Sequence, residues 1–321
     1  MRSSSIFFTA FLESLVSLAV CIAVGFICRK CRVLDDKLIS GLTTLLVKVT
    51  LPCTVFISLM RPFSQTLLWE SGATFLLSAA VFLFGGLAGY VVFKLYKRKK
   101  TDAYANVMIF ALIFANVGYM GFPVTQAVFG GEGMIYASMV NASFNLLVWS
   151  LGIQMFRKHS AAAEDEQKFS MGKLILSNIA LLATGTGFVF FVTGLRLPQA
   201  VSGGISMIAG MTTPVSMLLV GAILAKSALR ELFRDWRVFP VIAARLLILP
   251  LLAYAVLRLF IHNPVMLGVI VILTAMPAAS LTAIFAEQYK SETALATKLV
   301  ALSTLLSVVT VPFVAVILGI I

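Results

Sequence analysis

The sequence predicts an all-α polytopic membrane protein: ten transmembrane helices arranged as two inverted five-helix repeats, with the fourth and ninth broken. Three observations carry that reading. Sixty per cent of the 321 residues are hydrophobic and only 12% are charged, with a mean hydropathy of +1.02, whereas roughly a quarter of a soluble domain is charged. The apolar residues come in runs of about 20, the length that crosses a bilayer as a helix. Finally, helix-breaking residues recur at one fixed sequence offset.

Taken in order between charge clusters, the spans lie at 6–28, 38–60, 71–94, 104–128, 134–156, 174–195, 205–229, 238–260, 264–288 and 293–320. Span 1 follows Arg2, contains Glu13 and runs on to Cys28. That is longer than the apolar core of a secretory signal, so it is expected to be retained. The other links are short, and the longest, 157–173 with Glu164-Asp165-Glu166, separates a first repeat (1–156) from a second (174–321). No soluble domain fits between spans, so the function is expected in or across the bilayer.

The formal net charge of +12 does not indicate nucleic acid, because the cations sit in short clusters between apolar runs. Links after odd-numbered spans hold Arg29, Lys30, Arg32, Lys37, Lys94, Lys97, Arg98, Lys99, Lys100, Arg157, Lys158, Lys168, Lys173, Lys226, Arg230, Arg234, Arg237, Lys290 and Lys298. The opposite side holds Arg2, Arg61, Arg196 and Arg258. By the positive-inside rule the odd links are cytoplasmic and both termini extracellular or periplasmic, in a multi-pass protein of the cell membrane. Cys28 and Cys31 form a lone CxxC, and His159 and His262 stand apart. A structural zinc site needs four ligands, so neither a metal nor another cofactor is expected.

Gly25-Phe26 in span 1 and Thr50-Leu51-Pro52 in span 2 recur as Gly187-Phe188 and Thr212-Thr213-Pro214 in spans 6 and 7, both displaced by 162 residues. The same offset carries Ala115-Asn116 in span 4 onto Pro277-Ala278 in span 9. An offset of five helices inverts the second copy, the arrangement of secondary carriers built on interrupted helices. Span 4 packs Asn116, Gly118, Gly121 and Pro123 into eight residues, and span 9 follows Pro277 with Ser280 and Thr282. Glycine weakens a helix and proline removes a donor. Unwound backbone at membrane depth survives where protein or a water-filled cavity satisfies it, and exposed half-helix N-termini attract anions. Ordinary proline kinks and small-residue packing are the structural alternative.

Asn116, Gly118, Pro277, Ser280 and Thr282 are therefore candidate substrate contacts, and Gly121, Pro123 and Pro277 candidate helix breaks. Glu13, Lys48 and Arg245 are the ionisable residues well inside spans, where each needs a partner or a cavity. Lys48 either pairs with Glu13 or attracts an organic anion. Arg245 either binds substrate or snorkels and ties down backbone carbonyls.

The run FANVGYMGFPV (114–124) resembles the fourth helix of the auxin efflux carrier family, which includes plant auxin carriers and bacterial malonate- and malate-type permeases. Leu51-Pro52, FNLLVWSLG (144–152), RLLILP (245–250) and the Pro277 segment also resemble that family, and together the likeness covers essentially the whole chain. It implies a fold similar to sodium/bile-acid symporters. Helices 1, 2, 6 and 7 would form a scaffold, and helices 3–5 and 8–10 a mobile transport domain. Helices 4 and 9 would cross at the substrate site, marked by Asn116 and Pro277 and lined by Asn145. Plant members carry a proline where this chain has Ala115, so the break here rests on Gly118, Gly121 and Pro123. The long cytoplasmic loop of many plant members is absent.

The expected function is a secondary transporter of a small organic anion, a mono- or dicarboxylate, working by an elevator-type motion and pairing through its scaffold helices into a homodimer. An anion channel is the alternative. A membrane-embedded enzyme is disfavoured, since no HExxH or DxxxD motif and no histidine within a span supplies a catalytic set.

Overall fold

The computed structural model describes residues 2–95, 102–157, 178–226, 233 and 235–319. The acidic link around Glu164 and the Lys97–Lys100 cluster lie outside the described residues. Everything described is helical or connecting turn: α1 (Arg2–Lys30), α2 (Asp36–Leu59), α3 (Gln65–Leu95), α4 (Asp102–Ile113), α5 (Val117–Arg157), α6 (Ile179–Thr193), α7 (Gln199–Gly210), α8 (Thr212–Lys226), α9 (Trp236–Leu257), α10 (Pro264–Thr274), α11 (Leu281–Gln288) and α12 (Thr293–Ile317). Among the described residues six stretches are long and apolar enough to cross a membrane, and α4, α6 and α10 are shorter apolar helices. Exposed valines at 16, 20 and 24 on α1, and Val309 and Phe313 on α12, form outward apolar faces suited to lipid rather than water.

Proline shapes three of these helices in the same way. Five-residue π turns at Leu46–Thr50, Val117–Gly121 and Ala244–Ile248 end two residues before Pro52, Pro123 and Pro250. The residue between, Leu51, Phe122 or Leu249, donates its N–H to the carbonyl five residues back. A proline ring crowds the carbonyl four residues before it and offers no N–H. Widening the preceding turn relieves that crowding, and such widened turns often coincide with functional positions. Here they hold Lys48, Gly118 and Arg245.

The 41 residues of α5 would make a rod of about 60 Å, twice the hydrocarbon thickness. They fold back at Gly130, whose φ of 57° and ψ of −152° fall where only glycine is comfortable. The reversal brings residue 133 against the Thr125 side chain. One arm, 117–129, thus continues α4 beyond a break, and the other, 131–157, packs back beside it.

Close backbone approach sets a second contact. A Cβ at Gly25 would sit 2.1 Å from the Leu218 carbonyl oxygen, and one at Gly221 would sit 2.0 Å from that of Ile22. Both are backbone atoms that cannot move aside, so only glycine lets α1 and α8 lie this close, as in small-residue packing within membranes.

Candidate functional site

Two helices stop short and meet at their ends. α4 ends at Ile113 and α10 at Thr274, and the unwound residues pair as a short antiparallel bridge between Ala115 and Ala278. Asn116 N–H donates to the Pro277 carbonyl at 2.8 Å, and Ala279 N–H donates to the Phe114 carbonyl at 2.8 Å. Ser303 Oγ on α12 accepts from Ala278 N–H at 3.1 Å. The redirection leaves the carbonyls of Leu112 and Ile113 without their helical donors. Arg245 takes both through Nη1, at 2.8 and 3.0 Å, and the Met276 carbonyl through Nε at 3.1 Å. Protein groups thus satisfy the Leu112, Ile113, Phe114, Met276 and Pro277 carbonyls at the break, as membrane depth demands.

Beside the crossing lies a cavity of about 270 Å³, lined from α2 by Lys48 and Leu51, from the broken segments by Asn116, Gly118, Tyr119 and Ser280, from the second arm of α5 by Asn141, Phe144, Asn145 and Trp149, and from the start of α6 by Asn178. A second cavity of about 220 Å³ opens on the other side of Asn116, Tyr119 and Ser280, against Thr43, Ser216, Ile223, Thr297 and Thr304. Of the residues expected from sequence, Asn116, Gly118, Asn145 and Ser280 share the first wall. Pro277 contributes its carbonyl to the bridge. Thr282 is buried behind the wall with Oγ1 unpartnered, Gly121 packs under Leu273, and Pro123 is buried in the first arm of α5. Arg245 is 2% exposed and lines neither cavity.

Amide side chains run in series along the wall. Asn178 caps α6 by accepting from Ala180 and Leu181 N–H, and its Nδ2 donates to Asn145 Oδ1 at 3.1 Å. Asn145 Nδ2 in turn donates to the Asn141 carbonyl at 2.8 Å. Asn141, 2% exposed, ends the series with a buried Nδ2 that has no acceptor among the described residues. Asn116 Oδ1 accepts from Tyr119 N–H at 3.2 Å, capping the half-helix that begins after the break. Lys48 brings a formal positive charge to this wall, and among the described residues no carboxylate pairs with it, Glu13 included. Among the described residues no acidic side chain lines the cavity.

Asn141, Asn178, Tyr119 and Trp149 were not anticipated from sequence. Asn141 could have been: it stands four residues before Asn145, on the same helical face.

Residues 10–315 match the sequence pattern of the membrane transport protein family (Mem_trans), the auxin efflux carriers. The chain belongs to this family. It is a multi-pass membrane transporter and not an enzyme. Among its relatives, an uncharacterized transporter of Methanothermobacter thermautotrophicus is 26% identical over 95% of this chain and 98% of its own length. An uncharacterized transporter of Methanocaldococcus jannaschii is 20% identical over 91% of this chain and 94% of its own. A Rhizobium meliloti protein named "Putative malonate transporter" is 24% identical over 84% of each chain.

Proposed function

We propose that this transporter carries a small carboxylate across the cell membrane, binding it in the cavity beside the crossing of the broken helices. One observation carries the reading: a single cavity is lined by Lys48, free of any carboxylate partner among the described residues, and by Asn141, whose buried Nδ2 has no acceptor among them. Both are donors, and a carboxylate is acceptor-only with about four lone-pair sites. The Rhizobium relative's name supports a short dicarboxylate such as malonate.

The carrier is read as ten spans in two inverted repeats, α4 with the first arm of α5 making the fourth and α10 with α11 the ninth. A packing correspondence supports this. Gly25 meets the Leu218 carbonyl, and Gly187 meets the Phe56 carbonyl, so one contact recurs with both partners displaced by 162 residues (25 to 187, 56 to 218). Spans 1, 2, 6 and 7 form the scaffold, and the remainder moves as an elevator. The distribution of lysine and arginine supports extracellular termini.

A melting screen of purified protein against malonate, malate, other short carboxylates and indole acids tests the substrate class. A ligand held at about 100 times its Kd stabilises the folded state by about 2.7 kcal/mol, so at least one carboxylate should raise the melting temperature. Stabilisation by neutral or cationic solutes alone would overturn the reading. Saturable flux in liposomes, in place of flux linear in concentration, separates the carrier from a channel.

A further inference from the structure

We propose that Arg245 is a positioning residue for anion transport: it cancels the negative ends of α4 and α10, so that the crossing keeps a positive sign toward the cavity. The inference rests on the carboxylate reading above. A helix C-terminus carries about half a negative charge on its unpaired carbonyls. The breaks leave two such ends side by side at the crossing, together close to one negative charge, in surroundings of low dielectric where charge is poorly screened. Arg245 supplies one positive charge in direct contact with both, through Leu112 and Ile113 of α4 and Met276 just beyond α10.

Its counter-charge is these carbonyls, since no acidic side chain among the described residues forms an ion pair with it. A neutral amide at 245 could satisfy part of the hydrogen bonding but would leave the two ends uncompensated. The cavity would then present Lys48 and the starting amides of the two following half-helices against an added negative field. Guanidinium suits the task because its fork reaches carbonyls of two chain segments at once while the charge stays fixed. Arg245 thereby governs anion affinity without touching the substrate, and both breaks can be kept in one small volume.

The test compares Arg245→Gln and Arg245→Lys by malonate uptake in proteoliposomes, with melting temperatures measured alongside. Restoring the charge should rescue affinity. Arg245→Gln is expected to raise KM about tenfold or more, and Arg245→Lys to stay within about threefold of wild type even as it melts lower. Equal loss of affinity in both variants would reduce Arg245 to a structural clamp and overturn the proposal, as would a normal KM in Arg245→Gln. Should Arg245→Gln fail to fold, Arg245→Lys decides: a tenfold rise in its KM rejects the charge argument. Wild-type protein that takes up no carboxylate removes the underlying reading, a result visible before any variant is made.

Discussion

Lys48 reaches the cavity through the widened turn that Pro52 imposes. An extra residue in one helical turn rotates everything on one side of it by about 100°, since an α-helix advances 3.6 residues per turn. A cation within a span costs about 2.5–3.5 kcal/mol on insertion scales, and here no carboxylate among the described residues offsets it. Substrate is the natural complement. Lys48→Gln should therefore raise the KM for a transported carboxylate about tenfold or more, the worth of one charge-assisted hydrogen bond, while the apo melting temperature holds or rises. A drop in melting temperature with unchanged KM would assign Lys48 to structure instead. The same logic explains what was legible at this scale: Lys48 and Arg245 stand out in an apolar sequence because each demands a partner. Which partner each finds depends on where distant segments return, and the carbonyls that Arg245 takes lie 133, 132 and 31 residues away.

The breaks themselves were readable because Asn116, Gly118, Gly121, Pro123 and Pro277 act locally on the helix that contains them. Helix edges were less so. The third span is expected from residue 71, yet α3 begins at Gln65, and the half-buried Glu70 is tied to neighbouring helices. Tyr136 O–H donates to one of its oxygens at 2.5 Å and Asn263 Nδ2 to the other at 2.9 Å. Asn141 and Asn178 escaped notice because helices apolar on every side leave no pattern to mark the inward face. In the last turn of α2, Ser58 shares a buried hydrogen bond of 2.7 Å with Ser138, and just past the helix end Arg61 Nη2 donates to the Gly131 carbonyl. These bonds tie α2 to the turn at Gly130. In an elevator cycle they must break, which contributions of about 0.5–1.5 kcal/mol for the neutral pair and about 1.5–3 kcal/mol for the guanidinium allow. A Ser58→Cys/Ser138→Cys pair, oxidised in a background free of other cysteines, should stop transport until reductant is added. Full activity in the cross-linked protein would mean that these helices never separate.

At the scale of the whole molecule, the charge bias and the cavity point in one direction. The cavity wall includes Asn178, Ile179 and Ala180 at the start of α6, immediately after the link that the cation count assigns to the cytoplasm. The contacts of Ser58 with Ser138 and of Arg61 with Gly131 lie at the other end of α2 from its start beside the first positively charged link. Taken with the proposed orientation and the proposed carboxylate site, this arrangement corresponds to an inward-facing carrier. Ser280 is half-buried, lines both cavities and immediately precedes α11. The most direct measurement places a single cysteine there, Ser280→Cys, after replacing Cys21, Cys28, Cys31 and Cys53, and follows its reaction with a membrane-impermeant thiol reagent. Labelling should proceed in inside-out vesicles, be slow in right-side-out vesicles, and be suppressed by saturating malonate or whichever carboxylate raises the melting temperature. Labelling that continues unchanged at saturating levels of that carboxylate would contradict the account, because the anion would then be bound somewhere other than the crossing of the broken helices.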